Sequence, residues 1–323
     1  MMQKKQSGSD RMRIVFMGTP EFAVPSLRSL VEAGYDVVGV FTQPDKPKGR
    51  GNKLTPSPVK EYALVHQLPI FQPNRIRKDG VQDLQNLVPD LCVTAAFGQI
   101  LSQEILDIPR LGTVNVHASL LPRHRGSAPI NWCILMGDTK TGVTTMMTDK
   151  GIDTGDMLLV KETDILPGET AGELSIRLSA LGAQALLDTL QLIKEGRCPR
   201  FTQNHDAHTY EPMLKKEMGL IDWRKSADEI VRQVRGLDPW PGTYTPFPEG
   251  SLKVIQAQME KNMNGQPGQV LMADGKQGLV IAAGKDAVRI VTLQAPGKKQ
   301  MDAKDYLRGH PLQLGLIWQE CIE

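Results

Sequence analysis

Over its first two hundred residues the chain alternates short apolar runs with amphipathic stretches, and this alternation admits few folds. Strands are expected at Arg13–Met17, Val37–Thr42, Leu91–Ala96, Thr113–His117 and Val143–Thr148. Between the first two, Pro20–Ala33 sets Phe22, Leu27, Leu30 and Val31 on one helical face, and Gly34 is placed to end the helix. Thr170-Ala171-Gly172-Glu173 is a capping-box pattern. The stripe that follows, Leu174, Leu178, Leu181 and Ala185, fits a long amphipathic helix ending at Gly196. Repetition of strand, helix, strand predicts an α/β fold, doubly wound and Rossmann-like, with a mostly parallel sheet and helices on both faces. Ligands of such sheets bind beyond the carboxyl ends of the strands.

The pattern changes in the last third. A linker is expected from Arg197 to Pro212, rich in polar residues and carrying Pro199. Ser226-Ala227-Asp228-Glu229 then caps a short helix through Arg235, which Gly236 can stop. Short β-like runs follow at Leu252–Ala257, Gln269–Met272, Leu279–Ala282 and Val288–Leu293. Their length and spacing suggest a small β-barrel of oligonucleotide-binding type, equally consistent with a stabilising and with a binding role. The expected division is therefore an N-terminal extension (1–11), an α/β domain (12–196), a linker (197–212) and a C-terminal β-barrel (213–323).

Composition narrows the function classes. The 323 residues are 40% hydrophobic and 23% charged, as in ordinary soluble globular proteins. With 38 basic against 36 acidic residues the net charge is only +2, so attraction to nucleic acid must come from local patches. Cys92, Cys133, Cys198 and Cys321 are scattered without a Cys-x-x-Cys pair, which argues against zinc and disulfides and suits a reducing cytoplasm. No apolar run approaches the ~18 residues of a membrane span. Met1 to Arg11 is polar, lacks the centre of a signal peptide, and reads as a disordered extension.

Candidate chemistry centres on Asn115-Val116-His117-Ala118-Ser119-Leu120-Leu121-Pro122, followed by Gly151-Ile152-Asp153-Thr154-Gly155-Asp156. Residues two apart on a strand face the same way, so Asn115 and His117 should share one pocket. An amide, an imidazole and a carboxylate can polarise a carbonyl and move protons without a covalent nucleophile. A lone histidine at a strand end reads more readily as a core residue; the spacing and the flanking Ser-Leu-Leu-Pro shift that balance. Asp149, Asp153 and Asp156 share one loop but lack the alternation and closing glutamate of an EF-hand, so a solvated Asp-Gly turn is the competing reading. His205-Asp206-Ala207-His208 has too few ligands for a metal, and none is assigned. Gly18-Thr19-Pro20 lacks the three-glycine fingerprint of a dinucleotide fold, which counts against a nicotinamide enzyme; alone it reads as a structural turn. Residues 43–60 form a Pro- and Gly-rich surface loop of positive sign, with Lys46, Lys48, Arg50, Lys53 and Lys60 set against Asp45 and Glu61.

Four separated blocks, residues 13–24 (RIVFMGTPEFAV), 40–60 (VFTQPDKPKGRGNKLTPSPVK), 111–129 (LGTVNVHASLLPRHRGSAP) and 142–157 (GVTTMMTDKGIDTGDM), resemble the methionyl-tRNA formyltransferases, within the family of formyltransferases that use 10-formyltetrahydrofolate. The resemblance begins near residue 12 and weakens after residue 195. It implies Asn115, His117 and Asp153 as the catalytic residues, with Asp153 the partner of His117. It implies Ser119, Leu120, Leu121 and Pro122 as the folate-binding segment, with Phe97, Gly98 and Ile100 lining the pterin pocket. The basic loop (Lys46, Lys48, Arg50 and Lys53) would meet the acceptor stem of initiator methionyl-tRNA, Arg50 being the family's matching arginine. Lys46 and Lys48 depart from residues common there. Lys298 and Lys299, on a turn, are candidates for further tRNA contacts. The implied reaction is formylation of methionyl-tRNA in the cytoplasm from 10-formyltetrahydrofolate as co-substrate, with no metal, membrane or obligate protein partner. The alternative is a formyltransferase acting on an aminosugar nucleotide or another small amine, which shares the trio; the basic loop and the C-terminal domain favour tRNA. Intact catalytic residues weigh against a tRNA-binding module without activity.

Overall fold

The computed structural model describes residues 11–48, 53–247 and 250–318. The extension expected at 1–11 lies outside them but for Arg11, as do Arg50 and Cys321. The chain divides into two compact units. The first is built from the chain up to Gly126, Thr141–Thr163 and Ser175–Tyr210; the second takes Ser127–Lys140, Asp164–Leu174 and the chain from Glu211 onward.

In chain order the strands up to residue 164 are β1 (Arg13–Gly18), β2 (Asp36–Phe41), the short β3 (Lys46–Lys48) and β4 (Lys53–Thr55), β5 (Ile70–Phe71), β6 (Leu91–Ala95), β7 (Thr113–His117), the two-residue β8 (Arg125–Gly126), β9 (Lys140–Met147) and β10 (Met157–Asp164). The helices are α1 (Val24–Glu32), α2 (Pro58–Val65), the short α3 (Ile76–Asp79), α4 (Val81–Asn86) and α5 (Gln103–Leu106), then α6 (Pro129–Leu135) and the long α7 (Ala171–Lys194). Among the described residues the main sheet has seven strands in the order β10-β9-β7-β6-β1-β2-β5. The pairs from β5 to β7 are parallel, and β9 runs antiparallel to β7. Central strands covered on both faces read as unbroken apolar runs. Accordingly Ile14 to Met17 and Leu91 to Val93 are wholly buried. From β1 the chain winds outward to β2 and β5, then returns to lay β6 on the other side of β1. Strand order thus reverses between β1 and β6, and the crevice beyond their carboxyl ends is where such a sheet accepts a ligand.

The helix expected over Pro20–Ala33 is split, with a 3₁₀ turn at Glu21–Ala23 preceding α1. Pro25 has no N–H and is tolerated only in a first turn, which sets the start of α1 there. Leu27 and Leu30 are fully buried, whereas Phe22 and Val31 are half-buried. The capping box of α7 forms in both directions: Thr170 N donates to Glu173 Oε2 at 2.9 Å, and Glu173 N donates to Thr170 Oγ1 at 3.3 Å. Leu174, Leu178, Ala185, Leu186 and Leu190 are buried along α7, and each leucine contributes about 1.5–3 kcal/mol by leaving water. Gly182 sits against β7, where a Cβ would lie 2.8 Å from Val116 Cγ1. With Val116 turned toward α7, the pleat turns Asn115 and His117 to the opposite face.

The second unit continues through β11 (Tyr210–Glu211), α8 (Ala227–Gly236), β12 (Thr243–Phe247), β13 (Gly250–Glu260), β14 (Val270–Asp274), β15 (Gly278–Ala282), β16 (Ala287–Gln294), β17 (Met301–Asp302) and α9 (Ala303–Gly309). The β-domain expected from four apolar runs is present as an antiparallel sheet in the order β12-β13-β16-β15-β14. β16 is its branch point: β15 pairs with Ala287–Ile290 and β17 with Thr292–Leu293, while β13 covers the other edge. Trp223 and Trp318 are fully buried at its centre, edge-to-face at 6.0 Å, and Phe247 meets Trp318 at 5.9 Å. Trp223 Nε1 donates to Thr245 Oγ1 at 3.0 Å, so its polar edge is satisfied in the core. Helix α6 belongs to this unit. Asn131 Nδ2 donates to Gly236 O at 2.8 Å, and a Cβ on Gly236 would lie 2.9 Å from Leu135 Cγ, so the missing side chain lets α6 and α8 pack closely.

Candidate active site

The site grows from the carboxyl end of β7. His117 is 6% exposed, and its two ring nitrogens have different surroundings. Nε2 lies 2.9 Å from the carbonyl oxygen of His124. A carbonyl has no proton to give, so Nε2 carries one, and Nδ1 is the nitrogen left to gain or lose another. Nδ1 lies 3.6 Å from Asp153 Oδ2, outside hydrogen-bond length but within ion-pair range. The same carboxylate oxygen accepts from Gly126 N at 2.8 Å.

Asn115 stands two residues before His117 on the same face. Its amide oxygen accepts from Thr94 Oγ1 at 2.9 Å, across the parallel pairing of β6 and β7. The two Nδ2 hydrogens have no partner among the described residues. Of the three loop aspartates, Asp153 alone faces His117. Asp149 Oδ1 accepts from Gly151 N at 3.0 Å and Thr154 Oγ1 at 2.7 Å, which closes the turn, and Asp156 Oδ1 accepts from Thr202 Oγ1 at 3.1 Å. Among the described residues no group of three or more His, Cys, Asp or Glu could hold a metal ion.

Residues that sequence reasoning passed over hold this arrangement in place. Gln203, 3% exposed, lies in the segment expected as a linker. Its Nε2 donates to the carbonyls of Asp153 (2.9 Å) and Gly155 (2.8 Å), while its Oε1 accepts from Arg125 Nε (3.1 Å) and Nη2 (2.7 Å). Arg125, 4% exposed, thus ties the turn after His124 to the Asp153 loop through one glutamine. Thr144 Oγ1 donates to Ser119 O at 2.7 Å and accepts from Leu121 N at 3.2 Å, fixing the Ser-Leu-Leu-Pro segment. The pairing of polar side chains in β9 with residue 119 is the kind of signal only strand register reveals.

The remaining expected residues are distributed around the strand ends. Ser119 and Leu121 are buried, Leu120 and Pro122 half-buried. Ser119 Oγ donates to Arg123 O at 2.7 Å. Phe97 is buried at the end of β6, and Ile100 is 70% exposed. Gly98 takes the left-handed φ of 74°, and a Cβ there would lie 2.4 Å from Gln43 Nε2. Gln43 Nε2 donates to the carbonyls of Phe97 and Gly98, and Thr19 Oγ1 also donates to Phe97 O, so the ends of β1, β2 and β6 are laced together.

Within the basic segment β3 and β4 pair antiparallel, with Lys46 opposite Thr55 and Lys48 opposite Lys53. Lys46 Nζ donates to Gln43 Oε1 at 2.6 Å. Lys60 Nζ pairs with Asp45 at 2.7 Å, and this bond, with one from Gln72, holds the Asp45 carboxyl below the ordinary carboxylate range. Lys60 therefore neutralises Asp45, and the positive sign of the segment rests on the other cations. Lys298 and Lys299 are exposed on a turn of the second unit, where Lys298 N donates to Ala295 O at 3.0 Å. Burial pushes the Cys92 thiol up to about 12 and also raises Cys198, so neither is a poised nucleophile.

Residues 12–190 match the formyl transferase family model, and residues 213–311 match the model of the formyl transferase C-terminal domain. The methionyl-tRNA formyltransferase of Trichlorobacter lovleyi is 51% identical over 306 residues, covering 94% of this chain and 96% of that protein. Among solved structures, an N-formyltransferase from Helicobacter canadensis, in complex with folinic acid and dTDP-3-aminofucose, superposes with a TM-score of 0.64 at 20% identity, over 86% of this chain and 99% of that one. HypX from Aquifex aeolicus, in complex with tetrahydrofolic acid, gives 0.61 at 18% identity over 92% of this chain and 47% of that one. At such identities the two structures speak for the fold alone. The sequence match, spanning both domains at half identity, places the chain in the formyl transferase family, among the methionyl-tRNA formyltransferases.

Proposed function

We propose that the chain transfers the formyl group of 10-formyltetrahydrofolate to the α-amino group of initiator methionyl-tRNA in the cytoplasm, giving N-formylmethionyl-tRNA for translation initiation. The observation that carries this reading is 51% identity to a methionyl-tRNA formyltransferase over 94% of the chain, both domains included. Bound folate supplies an activated formyl carbon; the chain's residues hold the amine against it, stabilise negative charge on oxygen and manage protons. A new C–N bond forms to the amine as the bond to the folate nitrogen breaks. One proton leaves the amine and one arrives on the departing nitrogen, so no net proton is consumed.

Asn115 Nδ2 donates to the formyl oxygen; one such donor is typically worth about 10²–10³ in rate. His117 exchanges the proton at Nδ1, and Asp153 orients the ring and stabilises its charged form; a positioned acid or base adds about 10²–10⁴. Ser119–Pro122, with Phe97, Gly98 and Ile100, hold the folate. The exposed apolar side chain of Ile100 and the left-handed turn at Gly98 suit a flat heterocycle laid against backbone. The basic segment with Lys46, Lys48, Arg50 and Lys53 attracts the acceptor stem, and Lys298 and Lys299 are separate candidates for tRNA contacts. An arginine can pair bidentately with phosphate or stack on an exposed base.

The test is formyl transfer from 10-formyltetrahydrofolate to charged initiator tRNA, run beside small amines such as aminosugar nucleotides, with the parent and Arg50→Ala. Efficient transfer to tRNA alone is expected, and Arg50→Ala should weaken it by about 1–3 kcal/mol of transition-state binding without affecting folate binding. Preference for a small amine would replace this reading with the aminosugar alternative.

A further inference from the structure

The strand β6 is apolar except at Thr94, which is 7% exposed near its carboxyl end. A hydroxyl in such a place costs free energy unless it is hydrogen-bonded, and a valine of the same shape would fill the site without that requirement. The hydroxyl has one use among the described residues: it donates to Asn115 Oδ1 at 2.9 Å. The register makes this contact unavoidable, because Thr94 and Asn115 are partners across the parallel β6–β7 pair and their side chains project from the same face.

We propose that Thr94 is a positioning residue that anchors the Asn115 amide beside the reacting carbonyl. The inference rests on Asn115 being the oxyanion donor. An amide has two ends of almost equal shape, and a half-turn about its last torsion exchanges them. One orientation offers N–H to the developing oxyanion; the other presents a carbonyl oxygen that repels it. A hydroxyl can pair with either end; in the structure it donates to Oδ1, which leaves the two Nδ2 hydrogens to donate. The amide is thereby held in place before substrate arrives, which is what makes a hydrogen-bond donor effective in catalysis. Thr94 touches no reacting atom and acts only through Asn115.

One neutral hydrogen bond sets the scale of the effect, so Thr94→Val should lower kcat by about five- to tenfold. KM for folate and for the acceptor should stay within about twofold, and the melting temperature should fall only slightly, by the loss of one donor to Asn115 Oδ1. Thr94→Ser should restore most of the turnover, because it keeps the donor. In an Asn115→Ala background Thr94→Val should cause no further loss, as the group it orients is absent. Full kcat in Thr94→Val beside an impaired Asn115→Ala would overturn the positioning role and leave the reading of Asn115 standing. Normal turnover in Asn115→Ala would overturn that reading first. Should the valine variant fail to fold, Thr94→Ala against Thr94→Ser decides: an active serine and an impaired alanine support the role, and equal turnover refutes it.

Discussion

Asp153 reaches His117 through a left-handed backbone, φ 54°, that most side chains adopt only at a cost. Aspartate and asparagine tolerate this region best among residues with a Cβ, and several contacts keep the loop there. Gln203 Nε2 holds the Asp153 carbonyl, and Gly126 N holds its carboxylate. Gly155 lies so close beneath Met147 that a Cβ would meet the Met147 carbonyl at 1.9 Å. Charge and conformation can therefore be separated by substitution. Asp153→Asn retains the backbone preference and an acceptor for Gly126 N, yet removes the negative charge beside His117 Nδ1. It should melt with the parent while turnover falls by at least ~10²-fold. Combined with His117→Ala, it should lose less than the product of the single losses, as expected of two groups proposed to serve one proton transfer. Near-normal turnover in a folded Asp153→Asn protein would remove Asp153 from the mechanism.

Between elements, local signals and long-range contacts differ in how far they can be read from sequence. Asp238 follows α8 and presses against the start of α7: its carbonyl accepts from Gly172 N at 3.0 Å. Burial pushes its carboxyl up, the charge of Glu173 adds to the rise, and a hydrogen bond from Thr170 works against both. The unfolded chain releases this proton at the ordinary carboxylate value and the folded chain only higher, so the contribution to stability is full below the ordinary value. It is lost as pH rises through the raised one. Asp238→Asn, which cannot ionise, should flatten that part of the profile and gain on the parent as pH rises from about 3 to 7. Parallel melting curves across that range, with a constant gap, would rule this out. The capping boxes at Thr170 and Ser226 were legible because each lies within four residues. Both α7 and α8 begin where they predict. The strand at Thr243–Phe247 was not legible because Pro246 interrupts it. The structure allows this proline because β12 ends the strand order, where a missing N–H leaves no ladder bond broken on its open side. Likewise β3 and β4 are too short and too charged to alternate. That Asn115 and His117 share a face follows from period two, and their roles from the resemblance, whereas Thr94, Arg125 and Gln203 enter through sheet register and a segment about fifty residues beyond Asp153.

At the scale of the whole molecule, the division into units does not follow the order of the chain. Ser127–Lys140 and Asp164–Leu174 belong with the C-terminal residues, although both lie among the strands of the main sheet in sequence. Asn131 is bonded to Gly236, Arg235 Nη1 donates to the carbonyl of Glu169 at 3.1 Å, and Gly172 is bonded to Asp238. A chain ending at Arg200 would keep Asn115, His117 and Asp153, yet it would lose Gln203 and every one of these partners. Each lost hydrogen bond contributes about 0.5–1.5 kcal/mol, and each buried apolar side chain newly exposed about 1.5–3 kcal/mol. Against a typical net stability of ~5–15 kcal/mol, several such losses together are large. The shortened chain should therefore melt far below the parent and show no formyl transfer to methionyl-tRNA. A second cut after Glu211 separates the causes, because it returns Gln203 to the Asp153 loop without restoring α8. Recovery of turnover in that longer fragment would trace the defect to residues 201–211, where Gln203, Thr202 and Thr209 make their bonds. Persistent instability would trace it to the loss of α8 and the β-sheet unit, and is the outcome expected. A fragment ending at Arg200 that melts with the parent and transfers formyl at the parental rate would show that neither dependence exists.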